Sequence, residues 1–224
     1  MKNAWLSYWR LNGLFWSCMC MAVLIMGVFL YEHGQIDTHL ALNARHHPAA
    51  DFFFRYYTHI GGGIPCYIGL ALLLYKLRTG VFVLAGQAVA ALLTQPLKYL
   101  VARPRPLTLF RELGLQLPDT VDGVHLWDAY NSFPSGHTSA IFAFIGCLAA
   151  LLPPRYRKWQ LPLCLLALLG AYSRIYLSQH FLEDTLAGAP IGAFAAALAY
   201  MLCFGRQWGE YPVYRIRFNR TSPS

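Results

Sequence analysis

The sequence predicts an all-α integral membrane protein with about six transmembrane helices and an interfacial segment between the first two. Three observations lead to this prediction. Hydrophobic residues make up 57% of the 224 residues, while charged residues make up only 12%, about half the roughly 25% typical of soluble domains. The hydrophobic residues are concentrated in runs of about the length that a helix needs to cross a bilayer. Polar and charged segments separate these runs.

The first apolar run extends from about residue 13 to residue 31 and follows Lys2 and Arg10. A secretory signal peptide has a similar layout, but this run is long for the apolar part of such a signal. We therefore expect a retained transmembrane helix. The next segment, 35–57, mixes apolar and ionisable residues and carries an aromatic cluster: Phe52, Phe53, Phe54, Tyr56 and Tyr57. Aromatic rings are enriched at membrane surfaces, so this segment is expected to lie along the interface.

Five further apolar runs predict the remaining spans, with limits accurate to a few residues. They cover residues 60–75, 81–97, 138–152, 161–177 and 185–204. A short basic hinge joins the second and third spans, and a polar loop over 98–133 joins the third and fourth. No linker-like segment or internal repeat divides the chain, so we expect one membrane-embedded domain over residues 1–224.

The basic residues predict the orientation of these helices. With the N-terminus in the cytoplasm, eleven of the 18 Lys and Arg residues fall on cytoplasmic segments: Lys2, Arg10, Lys76, Arg78, Arg155, Arg157, Lys158, Arg206, Arg215, Arg217 and Arg220. This excess fits the positive-inside rule. An even number of spans returns the C-terminus to the cytoplasm, and the loop 98–133 and the turn 178–184 then share the outer face. We attribute the net charge of +8 to lipid headgroups and orientation, and we expect no nucleic-acid partner.

Neither the cysteines nor the histidines predict a disulfide or a metal site. All six cysteines lie in or beside apolar runs, and Cys18 and Cys20 have no His or further Cys nearby to complete a metal site. We interpret the cysteines as small apolar packing residues. Four histidines fall on or beside the interfacial segment: His39, His46, His47 and His59. A metal cluster there is the alternative, but a surface role is the favoured interpretation.

Three cations lie at the predicted outer ends of the third and fifth spans. Lys98, Arg105 and Arg174 run against the positive-inside trend. Each alone could be an interface anchor, because long basic side chains extend from apolar surroundings toward water. Together they suit a phosphate dianion, since Arg offers a planar fork of donors and Lys a point charge.

The segment Pro134-Ser135-Gly136-His137 lies where the polar loop turns into the fourth span. A helix N-terminus binds anions, because it presents unpaired N–H groups and the positive end of the helix dipole. Gly136 allows the backbone to approach an anion closely, and Ser135 can cap the helix or donate its hydroxyl to a phosphate oxygen. An ordinary turn with a helix cap is the alternative interpretation.

His180 and Asp184 are four residues apart, so in a helix they would share one face. The carboxylate can then hold one ring nitrogen protonated and leave the other as a nucleophile. A local helix-capping pair is the alternative. If His180 attacks phosphorus, the leaving alkoxide needs a proton, and His137 is the candidate donor. The scheme requires no metal and no other cofactor, because the three cations stabilise the charge on the phosphate oxygens.

Taken in order, these segments resemble the three signature motifs of the type-2 phosphatidic acid phosphatase superfamily. The matching residues are Lys98, Arg105, Ser135, Gly136, His137, Arg174, His180 and Asp184. The motifs cover about residues 98–184, with no departure at any motif position. The resemblance implies a helical core, metal-independent hydrolysis, a phosphohistidine at His180 and a proton donor at His137. The superfamily is also similar to vanadium haloperoxidases, in which vanadate occupies the phosphate site.

The leading functional prediction is a lipid phosphate phosphatase of a bacterial inner membrane, with its active site on the periplasmic face. Candidate substrates are undecaprenyl diphosphate, phosphatidylglycerol phosphate, phosphatidic acid and a lipid A phosphate. We expect the loop 107–132 to cover the headgroup without a catalytic role. A lipid phosphotransferase of the same family shares every motif and stays open. A non-catalytic membrane binding or transport protein is disfavoured because His180 and His137 are both present, and a haloperoxidase because the apolar spans favour a lipid substrate.

Overall fold

A computed structural model describes residues 2–44, 46–117 and 120–204. Several basic residues that were used to predict orientation lie outside the described residues: Arg206, Arg215, Arg217 and Arg220, together with Arg45 of the interfacial segment and the side chain of Lys2. Within the described ranges every regular element is a helix. The predicted all-α class is therefore confirmed.

Eight α-helices follow one another along the described chain: α1 (Lys2–Asn43), α2 (Pro48–Tyr57), α3 (Ile64–Tyr75), α4 (Leu77–Val101), α5 (Pro106–Glu112), α6 (Gly136–Leu151), α7 (Gln160–Tyr176) and α8 (Leu182–Phe204). Two short 3-10 turns, Thr58–Gly61 and Pro154–Trp159, lie between α2 and α3 and between α6 and α7. The six predicted apolar runs fall in α1, α3, α4, α6, α7 and α8.

Three helical segments among the described residues are long and apolar enough to cross a membrane: Tyr8–Asn43, Leu77–Glu112 and Leu182–Phe204. The bent pair Pro48–Gly61 and Ile64–Tyr75, with 52° between its parts, adds a fourth if the pair forms one span. Helix α6 is apolar but shorter. The helices thus support a multi-pass membrane protein, while the count of six spans stays a prediction.

The long helices alternate in direction, so the bundle has two ends. At one end, the Arg78 guanidinium donates to the carbonyl of Cys203 at 3.0 and 3.2 Å, and Gln160 donates to the carbonyl of Leu11. The starts of α4 and α7 therefore meet the end of α8 and the first turns of α1. We call this the basic end, because Arg10, Arg78 and the turn 154–159 lie there. The opposite, or motif, end gathers the end of α4 and the starts of α6 and α8.

Helix α6 lies at the centre, packed against α4, α7 and α8, with Phe142 and Ala143 fully buried. Its backbone touches that of α8 through glycines. A Cβ at Gly192 would lie 2.2 Å from the carbonyl oxygen of Ser139, and one at Gly188 would lie 2.7 Å from that of Ser135. Small residues permit this close packing, which contributes much of helix association in a bilayer. The contact fixes the first turns of α6 and α8 side by side.

The segment 35–57 differs from the predicted interfacial strip in its first half. Helix α1 continues to Asn43, beyond a break at Gly34, whose φ of 74° is a conformation that favours glycine. Asn43 is buried, because its side-chain amide donates to the carbonyls of Ile175 and Tyr176 at 3.0 and 2.7 Å. The end of α1 therefore packs on the end of α7, while α2 keeps an exposed aromatic surface.

His39 is the clearest departure from the predicted surface histidines. Its side chain is fully buried, with ring centroids 5.7 Å from Phe110 and 5.1 Å from Phe181. The predicted surface role is therefore wrong for His39. The spacing of polar residues along 35–57 suggested exposure, but the contact partners come from α5 and from the turn before α8, which lie far along the chain.

Candidate active site

A cavity of about 300 Å³ lies at the motif end, between α3, α4, α6 and the turn that joins α7 to α8. Five of the residues that line it belong to the predicted site: Lys98, Arg105, Gly136, His137 and His180. The fold thus brings together side chains from all three sequence motifs. The other three predicted residues, Ser135, Arg174 and Asp184, are buried beside this cavity.

His180 lies in the turn between α7 and α8, and not on a helix face as the four-residue spacing predicted. Helix α8 begins only at Leu182. Asp184, in the first turn of α8, reaches back so that its Oδ2 accepts a hydrogen bond from the Phe181 N–H at 2.9 Å and lies 3.2 Å from His180 Nδ1. This is the acidic half of a capping box. Asp184 therefore caps the helix and orients the histidine at the same time.

These contacts favour one form of the His180 ring. Nδ1 faces the Asp184 carboxylate, while Nε2 has no hydrogen-bond partner among the described residues. We assign the proton to Nδ1 on this basis. Burial, and then the positive charges of Arg174, Arg105 and Lys98, hold the pKa of His180 well below its ordinary range. A neutral imidazole with a free lone pair on Nε2 is the form that can attack phosphorus.

Ser132 belongs to the same group, although the sequence analysis gave it no role. Its hydroxyl is fully buried, donates to Asp184 Oδ2 at 2.5 Å and lies 3.3 Å from His180 Nδ1. The expectation that the loop 107–132 only covers the headgroup is therefore wrong at its last residue. The one sequence feature that could have indicated a role for Ser132 is its position two residues before Pro134, the first residue of the second motif.

Lys98 and Arg105 converge on the end of the same loop. Lys98 Nζ donates to the carbonyl of Asn131 at 2.5 Å and lies 3.5 Å from that of Ser132. Arg105 Nε donates to Asn131 Oδ1 at 2.7 Å, and its Nη1 donates to the carbonyl of Gln179 at 3.2 Å. Both side chains line the cavity, and both have further N–H groups with which to hold an anion.

Arg174 is buried beside the cavity and does not line it. Its Nη1 donates to Thr58 Oγ1 at 2.6 Å and its Nη2 to Gln179 Oε1 at 3.4 Å, while its Nε has no partner among the described residues. Gln179 in turn donates to the carbonyl of His125 at 2.9 Å. A buried guanidinium is costly when no opposite charge compensates it. An anion bound in the adjacent cavity would supply that charge.

The basic residues around the cavity fall into two groups, those that form an ion pair with a carboxylate and those that do not. Arg103 forms an ion pair with Glu183, and Arg111 forms one with Asp128. By contrast, Lys98, Arg105 and Arg174 form no ion pair with any carboxylate of the described residues. The three cations that belong to the motifs thus lack the direct carboxylate contact that Arg103 and Arg111 have.

The N-terminus of α6 forms one wall of the cavity. Ser135 is the N-cap residue, and its Oγ accepts from the Thr138 N–H at 3.3 Å and the Thr138 hydroxyl at 3.0 Å. Ser135 therefore caps helix α6, as one of the two interpretations of the sequence predicted. A Cβ at Gly136 would come no nearer than 3.8 Å to any atom, with Lys98 Cε the nearest. Gly136 thus leaves the first N–H groups of the helix open toward the cavity.

His137, in the first turn of α6, rests on the glycine-rich turn that follows α2. A Cβ at Gly61 would lie 2.6 Å from the carbonyl oxygen of His137, and one at Gly62 would lie 3.6 Å from His137 Nε2. A side chain at Gly61 would thus displace the backbone of His137, whereas one at Gly62 would only come into ordinary contact with its ring. The turn therefore fixes His137 on the cavity wall with His180.

The remaining histidines near the interfacial segment form no metal centre within the described residues, where no three His, Cys, Asp or Glu side chains are grouped as ligands. His46 instead lies 3.0 Å from Asp51 Oδ1 and stacks on Tyr176 with ring centroids 4.4 Å apart. His47 caps α2 by accepting from the Ala49 N–H.

A second, almost wholly apolar cavity of about 580 Å³ lies along the outer side of α4. Its lining consists of Ala88, Ala91, Leu92, Gln95, Pro96 and Tyr99. Ala91 and Gln95 line both cavities. The cavity that holds the cations and histidines is thus adjacent to an apolar one on the outer side of α4.

Residues 79–208 match the sequence model of a family described as the PAP2 superfamily. Among curated relatives, Lipid phosphate phosphatase 1 of Arabidopsis thaliana is 29% identical over 160 residues, which cover 60% of this chain and 49% of that protein. Undecaprenyl-diphosphatase of Sulfolobus acidocaldarius is 30% identical, covering 59% of this chain and 60% of that protein. Lipid A 1-phosphatase of Rhizobium johnstonii is 30% identical, covering 56% and 48%. The chain spans about half the length of the first of these relatives.

Two solved structures share the fold. The crystal structure of Aquifex aeolicus LpxE superposes with a TM-score of 0.61 at 24% identity and covers 74% of this chain and 93% of that one. The first transmembrane PAP2 type phosphatidylglycerolphosphate phosphatase from Bacillus subtilis superposes with a TM-score of 0.59 at 22% identity and covers 90% and 100%. At these identities the similarity establishes the helical architecture.

Proposed function

Because this chain belongs to the PAP2 superfamily, we propose that it hydrolyses a phosphate ester or diphosphate of a membrane lipid through a phosphohistidine at His180. One observation carries the proposal: three cations without acidic partners converge with a neutral histidine around one cavity, whereas the neighbouring Arg103 and Arg111 are paired. Uncompensated cations at the end of a membrane bundle are costly unless they bind an anion.

The reaction proceeds in two displacements. His180 Nε2 attacks phosphorus, the bond from phosphorus to the leaving oxygen breaks, and protonated His137 donates its proton to that oxygen. Burial, and then nearby positive charges, lower the pKa of His137 to about 2, and the negative charge of a bound phosphate opposes this shift so that His137 can carry the proton. A water molecule then attacks the phosphohistidine, His137 accepts the proton of the water, and inorganic phosphate leaves. Lys98, Arg105 and the N-terminus of α6 stabilise the charge on the phosphate oxygens, while Asp184 stabilises the imidazolium that forms when Nε2 is phosphorylated.

The apolar cavity along α4 is the proposed place of the lipid tail. It borders the catalytic cavity at Ala91 and Gln95, which line both, so a headgroup beside His180 would leave its hydrocarbon chain against α4, in contact with the bilayer. The names of the relatives point to the same class of substrate, since they act on lipid phosphates, undecaprenyl diphosphate and lipid A. We propose four candidate substrates: undecaprenyl diphosphate, a lipid A phosphate, phosphatidic acid and phosphatidylglycerol phosphate.

The proposed location is a bacterial inner membrane, with the cavity on the periplasmic face and both termini in the cytoplasm. This orientation rests on the full sequence, in which eleven of the 18 Lys and Arg residues fall on the predicted cytoplasmic segments. Of these residues, Arg10, Arg78 and the basic residues of the turn 154–159 lie at the end opposite the cavity.

The proposed function is tested by phosphate release from the detergent-purified protein in excess EDTA, with a panel of the four candidate lipids. We expect release from at least one of them, because histidines and cations carry the chemistry. Release only after addition of a divalent metal would contradict the metal-independent mechanism. Transfer of labelled phosphate to a second lipid, with none appearing free in solution, would replace hydrolysis by phosphotransfer.

Replacing Ala91, which lines both cavities, by tryptophan should fill the space where the two cavities meet. We expect turnover of a long-chain lipid phosphate to fall about tenfold or more, the range that lost apolar contacts typically cause, while a water-soluble phenyl phosphate reacts as before. The measurement is kcat/KM for both substrates. Ala71→Trp is the matched control, because Ala71 is also exposed on a neighbouring helix but lines neither cavity. An equal loss for both substrates would show that the substitution disturbs the catalytic cavity instead.

A further inference from the structure

We propose that Ser132 is a positioning residue for the nucleophile, which holds the His180 ring with Nδ1 protonated and Nε2 free. This inference rests on the proposed function, because it assigns a role within the same site. Neither the sequence motifs nor the family match assigns this serine a role. It is also fully buried, so contact with solvent does not account for its hydroxyl.

The contacts of the Ser132 hydroxyl determine to which atom it donates its proton and from which atom it accepts one. Asp184 Oδ2 accepts from the Phe181 N–H at 2.9 Å, so this oxygen is unprotonated. Ser132 Oγ, 2.5 Å from the same oxygen, must therefore donate its proton to it. A hydroxyl has one proton and two lone pairs, and the lone pairs remain for the Nδ1–H of His180 at 3.3 Å.

The Nδ1–H of His180 thus has two acceptors, the carboxylate of Asp184 and the hydroxyl of Ser132. The opposite tautomer would place the lone pair of Nδ1 against the Asp184 carboxylate and leave Ser132 Oγ without its donor. Two acceptors also restrain rotation of the ring more strongly than one. Ser132 therefore stabilises the tautomer and the orientation that expose Nε2 to the cavity.

The main chain of Ser132 is fixed by the groups that surround the cavity. Its N–H donates to the carbonyl of Arg103 at 3.0 Å, and its own carbonyl lies 3.5 Å from Lys98 Nζ. The preceding residue, Asn131, accepts from both Lys98 and Arg105. The hydroxyl thus projects from a segment that the phosphate-binding cations hold in place, which makes it a suitable fixed support for the ring.

The contact between the Ser132 hydroxyl and the His180 Nδ1–H matters most once phosphorus is bonded to Nε2. The ring then carries a positive charge with its proton still on Nδ1, and that proton is shared by Asp184 and Ser132. Loss of the hydroxyl leaves the Asp184 carboxylate alone to hold the ring, so the ring can turn more easily away from the orientation that in-line attack requires. A small misplacement of a reacting group costs up to about 100-fold in rate.

The test compares Ser132→Ala and Ser132→Cys with the wild type on a lipid phosphate that the wild type hydrolyses. We expect kcat to fall about 10-fold to 100-fold in Ser132→Ala at an unchanged KM, with Ser132→Cys between the two because a thiol is a weak donor and acceptor. Thr185→Val is the matched control. Thr185 is buried next to Asp184, but its hydroxyl donates only to the carbonyl of Leu182, so its kcat should stay near that of the wild type.

A double-mutant cycle with Asp184→Asn separates positioning from general packing. If Ser132 acts through the His180–Asp184 pair, Ser132→Ala should change kcat less than about threefold when Asp184 is already replaced, because the effects of coupled residues do not add. A full additive loss would mean that the serine acts independently of the pair, which overturns the proposal. Wild-type kcat in Ser132→Ala, or an equal loss in Thr185→Val, would also overturn it.

An assay that does not depend on turnover tests the role of Ser132 separately from the proposed function. Carbethoxylation of His180 by diethyl pyrocarbonate, followed by mass spectrometry, measures the nucleophilicity of the ring directly. We expect a slower reaction of His180 in Ser132→Ala than in the wild type. If the wild type hydrolyses no lipid phosphate, the proposed function fails, and this reaction alone decides the role of Ser132: an unchanged rate refutes it.

Discussion

His180→Ala is expected to reduce lipid phosphate hydrolysis by at least about 10⁴-fold, because it removes the atom that bonds to phosphorus. Losses of this size follow removal of the nucleophile in enzymes that form covalent intermediates. The remaining groups, Lys98, Arg105 and the N-terminus of α6, would still bind the phosphate. We therefore expect the variant to bind a lipid phosphate competitively while releasing no inorganic phosphate. The measurement combines phosphate release with detection of labelled phosphoenzyme after a denaturing alkaline quench, because the P–N bond of a phosphohistidine is stable in base and hydrolyses in acid.

The control for this variant is His33→Ala. His33 is exposed on α1, and its ring bonds only to the carbonyl of Phe29, so its loss should leave turnover unchanged. Thermal unfolding in detergent would establish that both variants are folded. Phosphoenzyme in His180→Ala at the wild-type level would place the covalent step on another residue and reject the mechanism.

His137→Ala is expected to slow hydrolysis of an alkyl lipid phosphate by about 10²–10⁴-fold, the usual contribution of general acid–base catalysis. The loss should depend on the leaving group. An alkoxide needs the proton of His137, whereas a nitrophenolate leaves without one. With a nitrophenyl phosphate the first displacement should therefore survive, while the second slows because no base activates water. Stopped-flow recording should show a burst of nitrophenolate equal to the amount of enzyme.

His125→Ala is a suitable comparison for this variant, because His125 belongs to the loop above the site and contacts it only through its backbone carbonyl. Its replacement should leave the dependence on the leaving group unchanged. If His137→Ala slows both substrates equally and shows no burst, His137 does not act as the proton donor.

The sequence was informative where chemistry depends on residue type and order. Lys98, Arg105, His137 and His180 could be assigned to one site because their motifs occur in a fixed order at predicted helix ends. The structure brings all four to the same cavity. The apolar runs likewise predicted the helices, since exclusion of water forces a bilayer-spanning backbone to bond within itself.

The sequence was less informative where a residue's surroundings come from distant segments. His39 looked like a surface residue, because the aromatic rings that bury it come from α5 and from the turn before α8. Ser132 looked like part of a solvated loop, because its partners follow about 50 residues later. The spacing of His180 and Asp184 suggested a shared helix face, yet a capping box places the same two residues together across the start of a helix.

The three motif cations, which form no ion pair among the described residues, have a consequence for the end of the proposed reaction as well as for its beginning. Inorganic phosphate carries the same anionic oxygens as the group that Lys98, Arg105 and Arg174 attract, but it lacks the tail that ties the substrate to the membrane. In the proposed reaction, its affinity for the site would set how fast the site is freed for the next lipid. Free phosphate on the outer side of the membrane would occupy the cavity by mass action, so the rate of lipid turnover would fall as the phosphate concentration there rises.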